Sequence, residues 1–122
     1  MIQVIVSGSR HATEADCAVV WRELDLVHAN EPIDLIIEGG ARGVDMYARL
    51  WALANNIEKV TMPAHWDHYG RAAGHIRNRK MLTDYPDARI LAFPKALSPG
   101  TRGMIAHARE LGREPRIVEL KP

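Results

Sequence analysis

Short apolar runs alternate with longer stretches of helical periodicity along this chain. Runs of strand length, rich in β-branched residues, lie at 2–6, 33–38, 59–62, 88–93 and 116–120. Between these runs, apolar residues recur at intervals of three and four, which is the spacing of one helix face. Five strands interleaved with four helices predict a three-layer α/β fold, in which helices cover both faces of a five-stranded parallel sheet.

The helical segments are bounded by recognisable start signals. The first helix is predicted to begin after Thr13, which has Asp16 three residues on, in the spacing of a capping box. The second helix, over 44–54, carries apolar residues on two sides, so we expect it to be buried between other elements. The third is predicted over 72–83, and the last opens at 98–101.

Length and composition narrow the class of protein. The 122 residues predict one domain over 1–122, and the hydrophobic and charged fractions of 47% and 25% are ordinary for a globular protein. No apolar run reaches the roughly 20 residues of a membrane span, and the N-terminus lacks the basic region of a signal peptide. The single cysteine, Cys17, lies on an apolar helix stripe, where we expect it to belong to the core. A cytoplasmic protein without membrane partners is therefore expected.

Polar, glycine-bearing turns follow the carboxyl ends of the predicted strands, at 7–10, 39–43, 65–74 and 98–103. The connections at the amino ends of the strands are plainer. Parallel sheets of this kind bind ligands outside the carboxyl ends of their strands, near the point where the strand order reverses. The sequence therefore predicts a ligand site at this edge.

The most glycine-dense of these turns is Gly39-Gly40-Ala41-Arg42-Gly43, between a buried strand and a helix. Glycines allow close backbone approach to a phosphate, and the N–H groups of a first helical turn bind anions. The turn is neither a Walker A loop nor a dinucleotide fingerprint, and a tight turn that needs positive φ angles is the alternative. Asp45 follows in the helix, where it stabilises the helix dipole or accepts hydrogen bonds from a ribose.

Two further turns carry anion-binding chemistry. Ser7-Gly8-Ser9-Arg10 adds a second arginine after the first strand, although small residues are also ordinary turn chemistry there. Gly100 and Thr101 open the last helix, so their N–H groups and the Thr101 hydroxyl are candidates to bind a phosphate. Simple helix capping by Ser98 or Thr101 is the competing interpretation.

The segment 65–80 has the most unusual composition, with four Arg or Lys, three His and two aromatic residues against one acidic residue. A solvated basic helix face explains some of these charges. It does not explain Trp66 and Tyr69, whose aromatic rings are suited to stacking on a base or sugar. The histidines His65, His68 and His75 lack helical metal-ligand spacing and a completing cysteine, so we predict no metal site.

Four motifs in order resemble the SLOG superfamily, and within it the small YspA/YpsA-related branch. They are Gly8-Ser9-Arg10, the segment 39–45, the segment 73–81 and the segment 100–104. The resemblance spans essentially the whole chain. It implies a parallel Rossmann-like sheet of order 3-2-1-4-5 and a pocket for nucleotides or nucleotide-derived ligands.

Two better-known groups of relatives imply different activities. The Lonely Guy enzymes release the base from nucleoside 5′-monophosphates, and their Pro-Gly-Gly-x-Gly-Thr-x-x-Glu motif ends in a catalytic glutamate. This chain keeps Gly100-Thr101 and an Arg79-Lys80 pair similar to theirs, but Met104 stands in the place of the glutamate. DprA proteins bind single-stranded DNA and carry a run similar to Arg77-Asn78-Arg79. The net charge of +1 makes nucleic acid an unfavoured partner.

We therefore predict a sensor or ligand-binding protein for a nucleotide or an ADP-ribose-like ligand, with no further cofactor assigned. The alternatives are a nucleotide N-glycosidase that uses Asp45 or Asp67 as its carboxylate, and single-stranded nucleic-acid binding. The two-sided helix 44–54 is a candidate interface for a homo-oligomer. The predicted ligand-binding residues are Gly8, Ser9, Arg10, Gly39, Gly40, Arg42, Gly43, Asp45, Trp66, Arg77, Asn78, Arg79, Gly100 and Thr101.

Overall fold

A computed structural model describes all residues from 1 to 122. Its five strands are β1 (Ile2–Gly8), β2 (Ile33–Glu38), β3 (Glu58–Thr61), β4 (Arg89–Phe93) and β5 (Arg116–Ile117). They form one sheet in which every pair is parallel, in the order β3-β2-β1-β4-β5. The predicted α/β class and the predicted strand order are both confirmed.

Helices cover both faces of the sheet, because alternate residues of its central strands point to opposite sides. The helices are α1 (Glu14–Asn30), α2 (Val44–Ala54), α3 (Trp66–Tyr69), α4 (Ala73–Asp84) and α5 (Pro99–Glu110). Val4 and Val6 of β1 pack with helices α1 and α2, whereas Ile5 packs with α4 and α5. No helix of the chain combines the length and apolar character that crossing a membrane requires.

The capping-box prediction at the start of α1 is confirmed. The Asp16 N–H donates to the Thr13 hydroxyl, and the Thr13 N–H donates to the Asp16 carboxylate at 2.9 Å. Cys17, in the same turn, is only partly buried rather than in the core. The first turn of α1 is thus fixed mainly by polar contacts.

Helix α2 departs from the prediction that it is buried on two sides. Val44, Ala48 and Trp51 are fully buried against the sheet and α1, but Leu50 and Leu53 are 43% and 61% exposed. A helix in the outer layer of a three-layer fold has solvent on its far side, and no element of this chain covers that side of α2. Self-association through this face stays a prediction.

Two more segments differ from their predicted form. The expected loop around 65–72 contains the short helix α3 and a 3₁₀ turn at Gly70–Ala72, and no residue of either is buried. The closing strand ends early, at Ile117, although the Leu120 N–H still donates to the Pro94 carbonyl at 2.9 Å. Pro94 has no N–H to return, which interrupts the ladder.

Candidate functional site

A cavity of about 810 Å³ opens at the carboxyl edge of the sheet. Its floor is the end of β1, which pairs with β2 on one side and with β4 on the other, so the cavity lies where the strand order reverses. Its volume is within the range of small-molecule sites. All four predicted turns contribute to its lining, and every predicted ligand-binding residue lines it except Gly43 and Arg79.

Gly43 and Arg79 lie outside the lining of the cavity. Arg79 is exposed on α4 outside the cavity. Gly43 is buried at the start of α2 with a φ angle of 76°, where a Cβ atom would overlap the carbonyl oxygen of Ser9. Asp67 and Tyr69 line a separate, shallower depression over residues 64–69, and Trp66 alone of α3 lines both.

Three of the five N–H groups in the glycine turn 39–43 donate hydrogen bonds within the protein. The N–H groups of Gly39 and Ala41 each donate to Asp45 Oδ2 at 3.2 Å, and the Gly40 N–H donates to Glu38 Oε1 at 2.6 Å. The Val44 N–H, in the first turn of α2, donates to the Ser9 carbonyl at 3.1 Å. These bonds leave the N–H groups of Arg42 and Gly43 as the donors of the turn that have no acceptor within the chain, and phosphate binding by the turn stays a prediction.

Glu38 is a central residue that sequence reasoning missed. Its side chain is fully buried at the end of β2, where it accepts hydrogen bonds from the Thr61 hydroxyl and, at 3.3 Å, from Arg49. These bonds join the end of β2 to β3 and to α2. The available signal was a carboxylate that ends an otherwise apolar run, since an ionised group is seldom buried without a specific role.

Asp45 faces the cavity from the first turn of α2. It is 5% exposed, and burial raises the pKa of its carboxyl to about 7; the neighbouring Glu38 adds to that rise, while the Ala41 N–H and Arg77 oppose it. Oδ2 is held by the glycine turn, whereas Oδ1 accepts no hydrogen bond from the protein. Asp45 thus presents one unpaired acceptor to a ligand.

Arg77 and Asn78 connect the two halves of the cavity. Arg77 Nη1 donates to the carbonyls of Gly39 at 2.8 Å and Met62 at 3.1 Å, which fixes the ends of β2 and β3. Its Nε donates to Asn78 Oδ1, and Asn78 Nδ2 donates to the Gly100 carbonyl at 3.3 Å. Arg77 therefore holds the ends of β2 and β3 together. Nη2 is the only nitrogen of its guanidinium that donates no hydrogen bond within the chain.

The start of α5 provides two further free N–H donors. Pro99 has no N–H, and the first N–H of the helix with a backbone partner is that of Arg102, which donates to the Ser98 carbonyl at 3.0 Å. The N–H groups of Gly100 and Thr101 have no such acceptor in the preceding turn. Nothing lies within 4 Å of the position a Cβ atom would take on Gly100. This helix start can therefore accept an anion at close range.

The comparison with known proteins identifies the family. The model of the YspA, cpYpsA-related SLOG family matches residues 2–69. The chain belongs to this family. It is also 36% identical over 118 residues to the Gene 61 protein of Mycobacterium phage D29, and the match covers 92% of each chain. No solved structure matches it.

Two arginines give this SLOG protein positive charge at the cavity rim. Arg10 and Arg42 are exposed, line the cavity and form no ion pair within the chain. Lys95, which the sequence reasoning missed, also lines the cavity, but it forms an ion pair with Asp16 at 2.7 Å. Arg10 and Arg42 are thus the exposed cations of the rim that have no carboxylate partner.

Met104 does not line the cavity of the SLOG protein. It lies on the inner face of α5, where it is fully buried in the cluster that includes Ile5 and Met81. The chain therefore has no carboxylate at the position that matches the Lonely Guy glutamate. Among the residues that line the cavity, Asp45 is the one carboxylate.

Proposed function

We propose that this SLOG protein is a nucleotide-binding protein, a sensor or carrier of a ligand that contains a phosphate and a ribose. The observation that supports the proposal is the polarity of one cavity. Its α5 side presents the free N–H groups of Gly100 and Thr101, and its β2 side presents the buried acceptor Asp45. A nucleotide has matching parts, because its phosphate is anionic and its ribose hydroxyls donate hydrogen bonds.

The phosphate is assigned to the start of α5 on electrostatic grounds. The N–H groups of Gly100 and Thr101 have no backbone acceptor, and the positive end of the α5 helix dipole attracts an anion. Arg10 and Arg42 add positive charge on the rim of the same cavity. The glycine turn is the less favourable place for a phosphate, since the acidic residues Glu38 and Asp45 already bind three of its five N–H groups. The ribose is therefore assigned to the turn, and the phosphate to the helix.

The base is assigned to Trp66. Its indole lines the cavity and is 58% exposed, so a face of the ring is available for stacking. Gly74, on α4, lies beside the indole at the same wall, because a Cβ atom there would be 3.4 Å from Trp66. Stacking of this kind accepts any base, so the phosphate and ribose contacts carry most of the proposed selectivity.

Isothermal titration calorimetry with AMP, ADP, ATP, NAD and ADP-ribose tests the proposal. We expect at least one of these compounds to bind more tightly than 1 mM, and we expect Arg42→Ala to weaken that binding about tenfold, because a charge-assisted phosphate contact is lost. Arg22→Ala is the matched control, since Arg22 is an exposed arginine of α1 outside the cavity. Failure of all five compounds to bind would contradict the proposal.

A second candidate function is hydrolysis of the N-glycosidic bond of a nucleotide, with Asp45 as the acid that protonates the leaving base. It is favoured by the combination of a cavity-facing Oδ1 and a pKa raised to about 7, because such a carboxyl holds its proton near neutral pH. Asp67, the other carboxylate considered, is exposed and does not line the cavity.

Chromatographic detection of free base after incubation with nucleoside monophosphates tests this second candidate. Turnover that is lost in Asp45→Asn and kept in Asp67→Asn is the expected result for an enzyme of this kind. Absence of released base from AMP, GMP, CMP and UMP would leave binding as the proposed function.

A further inference from the structure

Two side chains that meet at Gly39 in the cavity wall, those of Asp45 and Arg77, each carry one unpaired polar atom. Asp45 Oδ1 is an acceptor and Arg77 Nη2 is a donor, and neither makes a hydrogen bond within the chain. A Cβ atom on Gly39 would lie 2.9 Å from Asp45 Oδ2 and would overlap the Arg77 guanidinium. The two side chains therefore approach the same glycine, and both residues line the cavity.

An acceptor beside a donor is complementary to neighbouring hydroxyl groups. Each hydroxyl both donates and accepts a hydrogen bond, whereas a phosphate at this wall only accepts and would lie against the oxygen atoms of Asp45. The cis-diol of a ribose has two such hydroxyls on adjacent carbons. A 2′-deoxyribose offers a CH₂ group at one of them, which leaves a buried polar atom unpaired.

We propose that the cavity selects ribonucleotides over 2′-deoxyribonucleotides, and that Asp45 and Arg77 recognise the ribose cis-diol. This inference rests on the proposed nucleotide-binding function and adds its selectivity. Asp45 is the specificity-determining residue, because its Oδ1 accepts from a ribose hydroxyl. Arg77 supplies the second contact through Nη2.

The rigidity of the pair is what makes it selective. Asp45 Oδ2 is fixed by two N–H groups of the glycine turn, and Arg77 Nη1 is fixed by two strand-end carbonyls. Neither side chain can turn toward another partner without breaking these bonds. A site whose buried polar groups are held in place rejects an analogue that lacks one hydroxyl by a larger factor than a flexible site does.

Calorimetry with AMP, GMP, CMP and UMP, each paired with its 2′-deoxy counterpart, tests the inference, and 3′-deoxy-AMP tests the second hydroxyl. For the bases that bind, we expect the ribonucleotide to bind about 10- to 100-fold more tightly than the deoxynucleotide, as loss of one hydrogen bond to a charged group implies. Asp45→Asn is expected to reduce this ratio to about threefold or less. Asp67→Asn, the matched control, is expected to leave the ratio unchanged, because Asp67 does not line this cavity.

Asp45→Asn is a conservative variant for this purpose. Its amide oxygen can still accept from the N–H groups of Gly39 and Ala41, while its NH₂ group replaces the acceptor that faces the cavity. A melting temperature close to that of the unsubstituted protein at pH 4 verifies that the variant is folded.

The outcomes separate the inference from the proposed function. Equal binding of ribo- and deoxynucleotides overturns the inference and leaves nucleotide binding in place. If the ratio of ribonucleotide to deoxynucleotide affinity is unchanged in Asp45→Asn, the proposed role of Asp45 is wrong. If none of the ribo- or deoxynucleotides binds, both the inference and the proposed function are wrong.

Discussion

The Asp45→Asn variant is expected to gain stability relative to the unsubstituted protein as the pH rises from 4 to 7. Burial raises the pKa of Asp45 from 3.8 to about 7 in the folded protein. Between these two values the folded state holds a proton that the unfolded chain has released, so the free energy of unfolding falls as the pH rises. Asparagine does not titrate and resembles the protonated carboxyl, which removes this loss.

Urea denaturation of both proteins at half-unit pH steps measures the effect. The difference in the free energy of unfolding should be small near pH 4 and should grow in favour of the variant, by up to about 4 kcal/mol at pH 7. Other titrating groups are common to both proteins and largely cancel in the difference. Parallel pH profiles would show that the Asp45 carboxyl is ionised in the folded protein across this range.

Gly43→Ala and Gly100→Ala are expected to have opposite consequences, although each adds one methyl group at the start of a helix. Gly43 has a φ angle of 76°, and its added Cβ atom would overlap the Ser9 carbonyl oxygen, which is backbone and cannot move aside cheaply. We expect Gly43→Ala to lower the free energy of unfolding by about 3 kcal/mol or more.

Gly100→Ala has room for its methyl group, so we expect an unfolding free energy equal to that of the unsubstituted protein or up to about 1 kcal/mol higher. Nucleotide affinity is expected to fall at least about tenfold, because the methyl group occupies space that the proposed phosphate needs. Thermal melts and calorimetry on the same samples separate the two effects. Full affinity in a stable Gly100→Ala protein would move the phosphate away from α5.

The sheet was predictable from local sequence because burial on two faces leaves a continuous apolar run. In β1, Val4 and Val6 enter one core and Ile5 the other, so three consecutive positions at the centre of the strand are apolar. The position of the cavity followed from the same topology, since the carboxyl ends of parallel strands share one edge. Helix α2 shows the limit, because its apolar residues do not reveal which side another element covers.

The roles of residues within the site depended on contacts that sequence spacing does not specify. Arg77 and Arg79 are two residues apart on α4, so their side chains leave the helix on opposite sides, and only Arg77 reaches the cavity. The glycine turn had the composition of a phosphate-binding loop. Glu38 and Asp45 accept hydrogen bonds from three of its five N–H groups, and this competition with a ligand appears only in three dimensions.

The hydrogen bonds from α4 to both sides of the cavity have a consequence for how the parts of a ligand act together. Arg77 binds the Gly39 carbonyl and its neighbour Asn78 binds the Gly100 carbonyl, so two adjacent residues of one helix set the spacing between the glycine turn and the start of α5. That spacing fixes the distance that the two binding groups of one ligand have to span. A ligand whose two binding groups match it gains the chelate effect of joined fragments, because the second group binds at a high effective concentration once the first is in place.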